Sequence, residues 1–344
     1  MMQARTAPAL KPIRERELKA GAGEPLVSVC IVNWNCCELL RCCLRSLHQR
    51  PQGVPFETVV VDNASADGAA EMVAAEFPQV RLIRNAVNVG FSKGNNQAAN
   101  AARGRYFFFL NNDTEVPENL LREFTDYAAA NPAVGMLGPR LRGADGELQI
   151  NYRLKPTLAA MLHRISFLRW TGIFRRAYYR YRRDTFRADR HETIQRVEVL
   201  MGAAVFLPRR VFEASGRWDE RYRFGGEDLD LSTQVGRQYD VVHFGRVEVL
   251  HYGRVSSRAN VGFSAPNVAV GFVHYFRTAG VGSVSLLAYK VLVTIDAPLQ
   301  VLGKYAQYVQ RRLAGRTAKA AKSRLAAQGL LRFLTHELPA FWRA

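Results

Sequence analysis

The stretch RYFFFLNNDTEV, residues 105–116, places an apolar strand directly before a polar turn. Five apolar residues follow Arg105, and Asn111, Asn112 and Asp113 come immediately after them. Asn and Asp are common turn residues, so an ordinary strand and turn would explain the pattern. A carboxylate held at a strand end also suits a metal ion or a phosphate-bearing ligand. This stretch alone does not distinguish the two interpretations.

Short apolar strands alternate with amphipathic helices on the N-terminal side of this stretch. Strands are predicted at residues 26–33, 56–63, 80–85 and 105–112, and helices at 38–48, at 68–77 and after Ser92. Alternation of this kind requires crossover connections between parallel strands. The sequence therefore predicts an α/β fold with a mostly parallel, Rossmann-like sheet flanked by helices.

Polar residues follow three of these four strands. The strand ends read Asn33-Trp34-Asn35, Asp62-Asn63 and Asn111-Asn112-Asp113. Ligands of parallel sheets bind beyond the carboxyl ends of the strands, so one shared site is predicted there. A dinucleotide or P-loop site is disfavoured, because neither glycine-rich phosphate-binding pattern is present.

The charge balance limits the class of ligand. With 48 Lys and Arg against 30 Asp and Glu, the 344-residue chain has a formal net charge of +18. Such a chain attracts nucleic acid, anionic membranes or phosphorylated substrates. The five cysteines match no zinc or redox spacing, and the pairs Cys36-Cys37 and Cys42-Cys43 predict reduced thiols along one helix. Together with an N-terminus that lacks an apolar signal segment, this indicates a cytoplasmic protein.

Two later segments combine basic and apolar residues. Residues 164–190 carry nine arginines interleaved with aromatic residues, which fits a solvated helix pair, a membrane interface or a pyrophosphate-bearing acceptor. Nucleic acid is not expected as a partner, because no recognition module accompanies the patch. Residues 284–295 are apolar but contain Lys290 and stop before Pro298, so they are expected to be too short to span a bilayer. With the basic residues up to Arg324, they predict a helix that lies on an anionic membrane surface.

A second acidic motif, GGEDLDL at residues 225–231, sets two carboxylates at the start of a helix. Acidic residues stabilise helix N-termini, so a capping role is one interpretation. The preceding Gly-Gly would also admit a substrate to Glu227 or Asp228. Residues i and i+2 of a helix point apart, so Asp230 is expected to have a structural role.

Taken together, the motifs resemble family 2 glycosyltransferases of the GT-A fold, in particular the rhamnosyltransferase-like branch. The resemblance extends from about Leu26 to about Phe276. Seven segments carry it in order: VSVCIVNWN (27–35), VVVDNAS (59–65), NVGFSKGNN (88–96), FLNNDTEV (109–116), MGAAVFLPR (201–209), WDERYRFGGEDLDL (218–231) and HYGRVSS (251–257).

The resemblance implies a role for each site. Asp113 would bind a divalent ion held by the donor diphosphate, with His251 completing the metal site, and an imidazole ligand favours Mn²⁺ over Mg²⁺. Asp228 would be the catalytic base, with Glu227 beside it near the acceptor. The expected nucleotide-sugar site comprises Asn33, Asn35, Asp62, Lys93, Asn96, Asn111, Asn112 and Asp113.

The implied enzyme is an inverting, metal-dependent transferase that adds one sugar, since the Q-x-x-R-W motif of processive relatives is missing. The favoured donor is dTDP-rhamnose, with UDP-hexoses as the alternative. The expected acceptor is a glycan or a lipid-linked glycan of a surface polysaccharide, reached from the inner face of the cell membrane. Rival interpretations are a nucleotidyltransferase acting on sugar phosphates and a non-catalytic, membrane-recruited scaffold.

The expected domain organisation has four parts. They are a flexible basic tail (1–24), a nucleotide-sugar-binding half (25–140), an acceptor-binding half (141–275) and a basic helical extension on the membrane surface (276–344).

Overall fold

The computed structural model describes residues 24–185, 192–222, 225–253 and 261–344. The expected N-terminal tail lies outside these ranges except for Glu24, as do residues 186–190 of the arginine-rich segment and residues 254–257 of the last family motif.

Twelve strands lie within the described ranges. They are β1 (Val27–Asn33), β2 (Phe56–Asp62), β3 (Arg81–Arg84), β4 (Tyr106–Leu110), β5 (Thr114–Glu115), β6 (Val134–Arg142), β7 (Leu148–Gln149), β8 (Tyr152–Arg153), β9 (Ile194–Arg196), β10 (Val199–Leu200), β11 (Ala204–Pro208) and β12 (Asp240–His251).

Most of these strands form one sheet in the order β3-β2-β1-β4-β11-β6-β12-β5. β3, β2, β1 and β4 are mutually parallel, and β6 is parallel to β12. β11 runs antiparallel between β4 and β6, while β8 and β10 pair separately. The predicted mostly parallel sheet is therefore confirmed. Its strand ends define a single edge to which β1, β2, β4 and β12 all contribute.

Helices cover both faces of the sheet and form the C-terminal region. They are α1 (Cys37–Gln49), α2 (Ala69–Glu76), α3 (Phe91–Ala101), α4 (Leu120–Ala130), α5 (Leu158–Leu162), α6 (Ser166–Thr171), α7 (Arg175–Thr185), α8 (Arg209–Ala214), α9 (Glu227–Val235), α10 (Val261–Thr278), α11 (Ser283–Leu313), α12 (Thr317–Arg332) and α13 (Leu338–Arg343), with a π-helical turn at Phe333–Glu337.

The aromatic run of β4 fills both layers of the core. Phe108 points to the face covered by α1 and α4, where its ring contacts Phe124. Phe107 and Phe109 point to the opposite face and contact Phe212, and Phe109 also contacts Trp218. All three phenylalanines of β4 are fully or almost fully buried. Because successive strand residues alternate between faces, an unbroken apolar run marks a strand buried on both sides.

The C-terminal helices pack against the sheet domain through a third apolar cluster. Val273 and Phe276 of α10 belong to it together with Phe341 of α13 and Leu229 of α9. The buried Lys290 of α11 donates a hydrogen bond from Nζ to the Trp342 carbonyl at 3.0 Å. The predicted helical extension is confirmed, and its packing on α9 joins it to the acidic motif.

The expectation that the apolar segment ends before Pro298 is wrong. Helix α11 continues through Pro298 to Leu313, which makes it 31 residues long. By length and composition it could cross a membrane, although about a quarter (28%) of its most apolar window is buried in the protein. Proline removes one backbone hydrogen bond, whereas packing against α12 and helix-favouring neighbours hold the remaining turns together.

Candidate active site

The polar side chains at the ends of β1, β2 and β4 form one buried network. Asn33 Nδ2 donates to Asp62 Oδ1 at 3.0 Å, and Asn112 Nδ2 donates to Asn33 Oδ1 at 2.6 Å. Ser65 completes the network, since its hydroxyl donates to Asp62 Oδ1 and its backbone N–H to Oδ2. Buried polar groups are stable only when they are hydrogen-bonded, so each side chain fixes the next. The sequence analysis had not singled out Ser65, although it lies inside the VVVDNAS motif.

The other residues expected at the nucleotide site occupy different positions. Asn35 lies in the loop after β1, with a left-handed backbone (φ 50°) and its side chain capping the Ala66 N–H. Asn111 directly follows β4, and its N–H donates to the Ala203 carbonyl. Lys93 is exposed on the first turn of α3. Asn96 lies deeper in α3 and binds the Trp218 carbonyl and Glu220, so the structure does not bring it into the network.

Asp113 and His251 meet through the pairing of β5 with β12. His251 lies opposite Thr114 in this antiparallel pair, and the Tyr252 N–H donates to the Asp113 carbonyl at 2.9 Å. His251 Nε2 lies 3.4 Å from Asp113 Oδ1, and both side chains are at least nine-tenths buried. The structure thus brings together the two residues expected to bind metal, which are far apart in the sequence.

Gln149 fixes the orientation of the His251 ring. Its amide nitrogen donates to the His251 carbonyl at 2.8 Å, so its amide oxygen is the atom that lies 2.7 Å from His251 Nδ1. Nδ1 therefore carries a hydrogen, and in the neutral ring Nε2 presents a lone pair. Metal-binding histidines are commonly oriented by such a contact on the other ring nitrogen. Gln149 was missed because it lies in a two-residue strand that has no sequence signature.

This arrangement fits a divalent cation. His251 Nε2 is buried without a hydrogen-bond partner among the described residues, and it faces the Asp113 carboxylate. Two buried acceptors that face each other are stable when a cation or a proton lies between them. Within the described ranges, no cluster of three or more His, Cys, Asp or Glu side chains could hold a metal. One carboxylate and one imidazole would therefore leave coordination positions for diphosphate oxygens.

The second acidic motif begins α9 and is bound by an arginine. Arg153 Nη2 donates to Asp228 Oδ1 at 3.0 Å, and the Leu229 N–H donates to the same oxygen at 2.8 Å. Both of these hydrogen bonds end on Oδ1, so neither occupies Oδ2. Asp230 instead accepts a hydrogen bond from the buried Tyr222 hydroxyl. Arg153 was not predicted from the sequence, because β8 is too short to show periodicity.

Glu227 is placed differently from its neighbour. Its Oε2 is buried and has no hydrogen-bond partner among the described residues. Burial, reinforced by the adjacent charge of Asp228, raises the pKa of Glu227 to about 7. The two adjacent carboxyl groups are therefore chemically distinct, since one is bound by Arg153 and the other titrates near neutral pH.

Gly202 places Asp228 at the edge of the sheet that carries the strand-end network. A Cβ atom at Gly202 would lie 3.6 Å from the Asp228 Cβ, so the two residues are neighbours. The next residue, Ala203, accepts the backbone hydrogen bond from Asn111. The acidic start of α9 and the Asp113 turn are thus linked through two contacts, one at Gly202 and one at the next residue, Ala203.

A model of the glycosyl transferase family 2 matches residues 28–211, slightly more than half of the chain. The chain is a family 2 glycosyltransferase. The match covers the strand-end network and β11, whereas α9 and His251 lie beyond it.

One curated relative is named as a rhamnosyltransferase and another as an O-antigen biosynthesis protein. N-acetylglucosaminyl-diphospho-decaprenol L-rhamnosyltransferase of Mycobacterium tuberculosis is 27% identical over 212 residues, which span 58% of this chain and 67% of the relative. O-antigen biosynthesis protein RfbC of Myxococcus xanthus is 27% identical over 260 residues, which span 74% of this chain. The chain spans only about a fifth (19%) of the length of that second relative.

The fold has a counterpart among solved glycosyltransferases. The structure of GalNAc-T7 with UDP, GalNAc and Mn²⁺ aligns at a TM-score of 0.50, with 16% identity, over 78% of this chain and 53% of GalNAc-T7. At this identity the likeness concerns the fold alone. The predicted GT-A fold is confirmed.

The shifted pKa of Glu227 predicts a pH dependence of stability. A carboxyl group with a raised pKa binds its proton more tightly in the folded state than in the unfolded state. Its contribution to stability is therefore present below the ordinary value of 4.5 and is lost as the pH rises towards about 7. Thermal unfolding across this range should show a larger loss of stability in the wild type than in Glu227→Gln. Identical pH profiles for the two proteins would contradict the assignment.

Proposed function

We propose that this glycosyltransferase moves one sugar from a nucleoside diphosphate sugar to a glycan or lipid-linked acceptor, with inversion at the anomeric carbon. The observation that carries the proposal is the shared edge of the sheet, where the Asp113–His251 pair and the Asp228 carboxylate are linked through Gly202 and Ala203. The Asp113–His251 pair suits a cation that holds the donor diphosphate, and the Asp228 carboxylate suits the acceptor hydroxyl.

The donor nucleotide would bind against the network at the ends of β1, β2 and β4. Asp62 is held by Asn33 and Ser65, which gives it a fixed orientation for hydrogen bonding to the base. Asn35, Lys93 and Asn111 are proposed at the border of this site, and Asn96 is kept only as a support of α3. The relative that is named as an L-rhamnosyltransferase supports dTDP-rhamnose as the first donor to test, with UDP-hexoses as the alternative.

Asp113 and His251 would hold a divalent cation together with the donor diphosphate. A bound cation would neutralise the negative charge that builds up on the leaving nucleoside diphosphate. The role of the protein is to keep the two ligands apart and oriented, which β12, β5 and Gln149 do. GalNAc-T7, which has a similar fold, was solved with Mn²⁺, and this supports the choice of cation.

Asp228 would accept the proton of the acceptor hydroxyl. Arg153 and the Leu229 N–H fix the carboxylate through Oδ1, so Oδ2 can receive the proton. A hydroxyl attacks the anomeric carbon more readily when a carboxylate removes its proton, and a single displacement inverts configuration. We propose that Glu227, with its raised pKa, contacts the acceptor instead.

The reaction would take place at a membrane surface. An apolar stripe runs along α11. It consists of exposed apolar side chains that recur every three or four residues: Val284, Leu287, Val291, Ile295, Leu299, Leu302, Tyr305, Val309 and Leu313. Basic residues follow on α12, including Lys319 and Lys322. A helix of this composition can bury its apolar face in an anionic membrane surface. We therefore propose peripheral attachment at the cytoplasmic face of the membrane, where surface polysaccharides are built.

The test of the proposed base compares two carboxylates of the same helix. Asp228→Asn keeps the hydrogen bonds from Arg153 and Leu229 but removes the proton acceptor. Turnover should fall by about two to four orders of magnitude, while donor affinity stays unchanged. The control Asp230→Asn can still accept from Tyr222, so its turnover should stay within a few fold of the wild type.

Product analysis separates this mechanism from its alternatives. Transfer should release a nucleoside diphosphate, whereas pyrophosphate release would indicate a nucleotidyltransferase. Near-normal turnover in Asp228→Asn together with its loss in Glu227→Gln would show that Glu227 is the base.

The membrane proposal predicts co-sedimentation of the full chain with vesicles that contain anionic lipid. Binding should weaken as salt is raised, because the basic residues of α12 act through screened charges. Leu302→Asp, in the middle of the stripe, should reduce binding, whereas Val87→Asp, at an exposed apolar residue outside the helix, should not. Release from membranes only by detergent would instead show that α11 spans the bilayer.

A further inference from the structure

A large cleft lies between the C-terminal helices and α5, α6 and α7, outside the donor site. Its volume is about 990 Å³, and its walls come from α5, α6, α7, α10, α11 and α12. Cavities of this size accommodate small organic ligands. None of the residues assigned to the donor, the metal or the base lines this cleft, so the mechanism described above does not use it.

The cleft is strongly basic. Arg164, Arg169, Arg182 and Lys304 line it, and Asp296 is the only acidic side chain among its lining residues. Asp296 is already engaged, because its carboxylate accepts hydrogen bonds from the Ser166 N–H and from Gln300. The excess of positive charge favours an anionic ligand, and phosphate groups are bound well by arginine.

A buried histidine adds a hydrogen-bonding group to this basic wall. His163 is 6% exposed, and its Nδ1 has no hydrogen-bond partner among the described residues. Burial, together with the nearby charges of Arg169 and Arg175, lowers the pKa of His163. A buried ring nitrogen without a hydrogen-bond partner, close to several cations, is the arrangement expected where a ligand supplies the missing contact.

The rest of the cleft is apolar and aromatic. Phe272 of α10, Tyr289 and Val293 of α11 and Phe333 of the π-helical turn line it. Inorganic phosphate would leave these walls without a partner. Surfaces of both kinds in one cleft fit an amphipathic molecule that has an anionic head and a hydrocarbon chain.

The cleft is close to the proposed base. Val268 of α10 lines the cleft, and its side chain reaches Gly225, where a Cβ atom would lie 2.8 Å from Val268 Cγ2. Gly225 is two residues before Glu227. One layer of backbone therefore separates the cleft from the acidic start of α9, on the side where the acceptor would bind.

Helix α11 connects the cleft with the apolar stripe. Tyr289, Val293, Ala297, Gln300 and Lys304 line the cleft at helical spacing, while the stripe from Val284 to Leu313 faces outward. At 100° per residue the two sets lie on opposite sides of the helix. If the stripe rests on a membrane, the cleft lies directly behind the helix that contacts the lipid.

We propose that this cleft binds the isoprenoid diphosphate part of a lipid-linked acceptor. The phosphates would bind Arg164, Arg169 and His163, the first isoprene units would pack on Phe272 and Val293, and the attached sugar would lie outside the cleft, on the side of the acidic start of α9. This inference rests on the proposed function, because it identifies the acceptor that the transferase uses.

The probe is farnesyl diphosphate, a soluble isoprenoid diphosphate, titrated into the full chain by calorimetry. Farnesol and inorganic pyrophosphate are the comparison ligands. Farnesyl diphosphate should bind at least about tenfold more tightly than either, since only it fills both parts of the cleft. Equal binding of inorganic pyrophosphate would show a simple phosphate site and overturn the proposal, and so would undetectable binding of farnesyl diphosphate.

Two pairs of substitutions test whether farnesyl diphosphate binds in the cleft. Arg164→Gln combined with Arg169→Gln should weaken farnesyl diphosphate binding about tenfold or more, which corresponds to at least one lost charge-assisted contact. The matched control, Arg312→Gln with Arg316→Gln, removes two exposed cations outside the cleft and should leave binding unchanged. An equal loss in both pairs would mean general charge attraction and would overturn the proposal. Circular dichroism confirms that each variant is folded.

Donor binding distinguishes this inference from the proposed function. Nucleotide affinity depends on Asp113 and not on the cleft, so it should be the same in both double variants. A chain that binds nucleotide sugar and glycosylates a lipid-free glycan, yet does not bind farnesyl diphosphate, would retain the proposed function and contradict the cleft. Binding of farnesyl diphosphate without any sugar transfer would contradict the proposed function alone.

Discussion

The pairing of β12 with β5 is the contact on which the site depends. It places His251 opposite Thr114, and the Tyr252 N–H then binds the Asp113 carbonyl. Without this short pair, the carboxylate and the imidazole would lie on separate loops. The pair is itself held by the long β12–β6 ladder, so the core of the sheet sets the 3.4 Å separation of the two side chains.

At the same edge of the sheet, hydrogen bonds satisfy polar side chains that are buried. Asn33, Asp62 and Asn112 are almost fully buried, and unpaired groups of this kind would destabilise the fold. Their mutual hydrogen bonds, together with Ser65, satisfy them and make the edge rigid before any ligand arrives. Among the described residues, His251 Nε2 and Glu227 Oε2 are buried without a hydrogen-bond partner, and they are where ligand contacts are proposed.

Much of the fold and part of the site could be predicted from the sequence. The strands of the first half have continuous apolar runs, and the polar residues after them locate the site because parallel strands end at one edge. The structure brings Asp113 and His251 together, as their motifs indicated. Asn96 lies in a segment that matches the family motif, but the motif does not show that its amide binds the Trp218 carbonyl and Glu220.

What could not be predicted depends on contacts between distant parts of the chain. Gln149 and Arg153 lie in strands of two residues, and only the folded chain shows that one orients His251 and the other binds Asp228. Helix α11 continues through Pro298 and packs against α12, and the local sequence does not show this contact between the two helices. The basic cleft likewise requires side chains from six helices.

The most direct test of this account is the dependence of nucleotide binding on the Asp113–His251 pair. Calorimetric titration of dTDP and UDP, each with and without Mn²⁺, should show metal-dependent affinity in the wild type. Asp113→Asn should lose that metal dependence and keep its fold, whereas Asp126→Asn, at an exposed carboxylate on α4, should behave as the wild type does. Unchanged affinity of Asp113→Asn, whether Mn²⁺ is present or absent, would contradict the account.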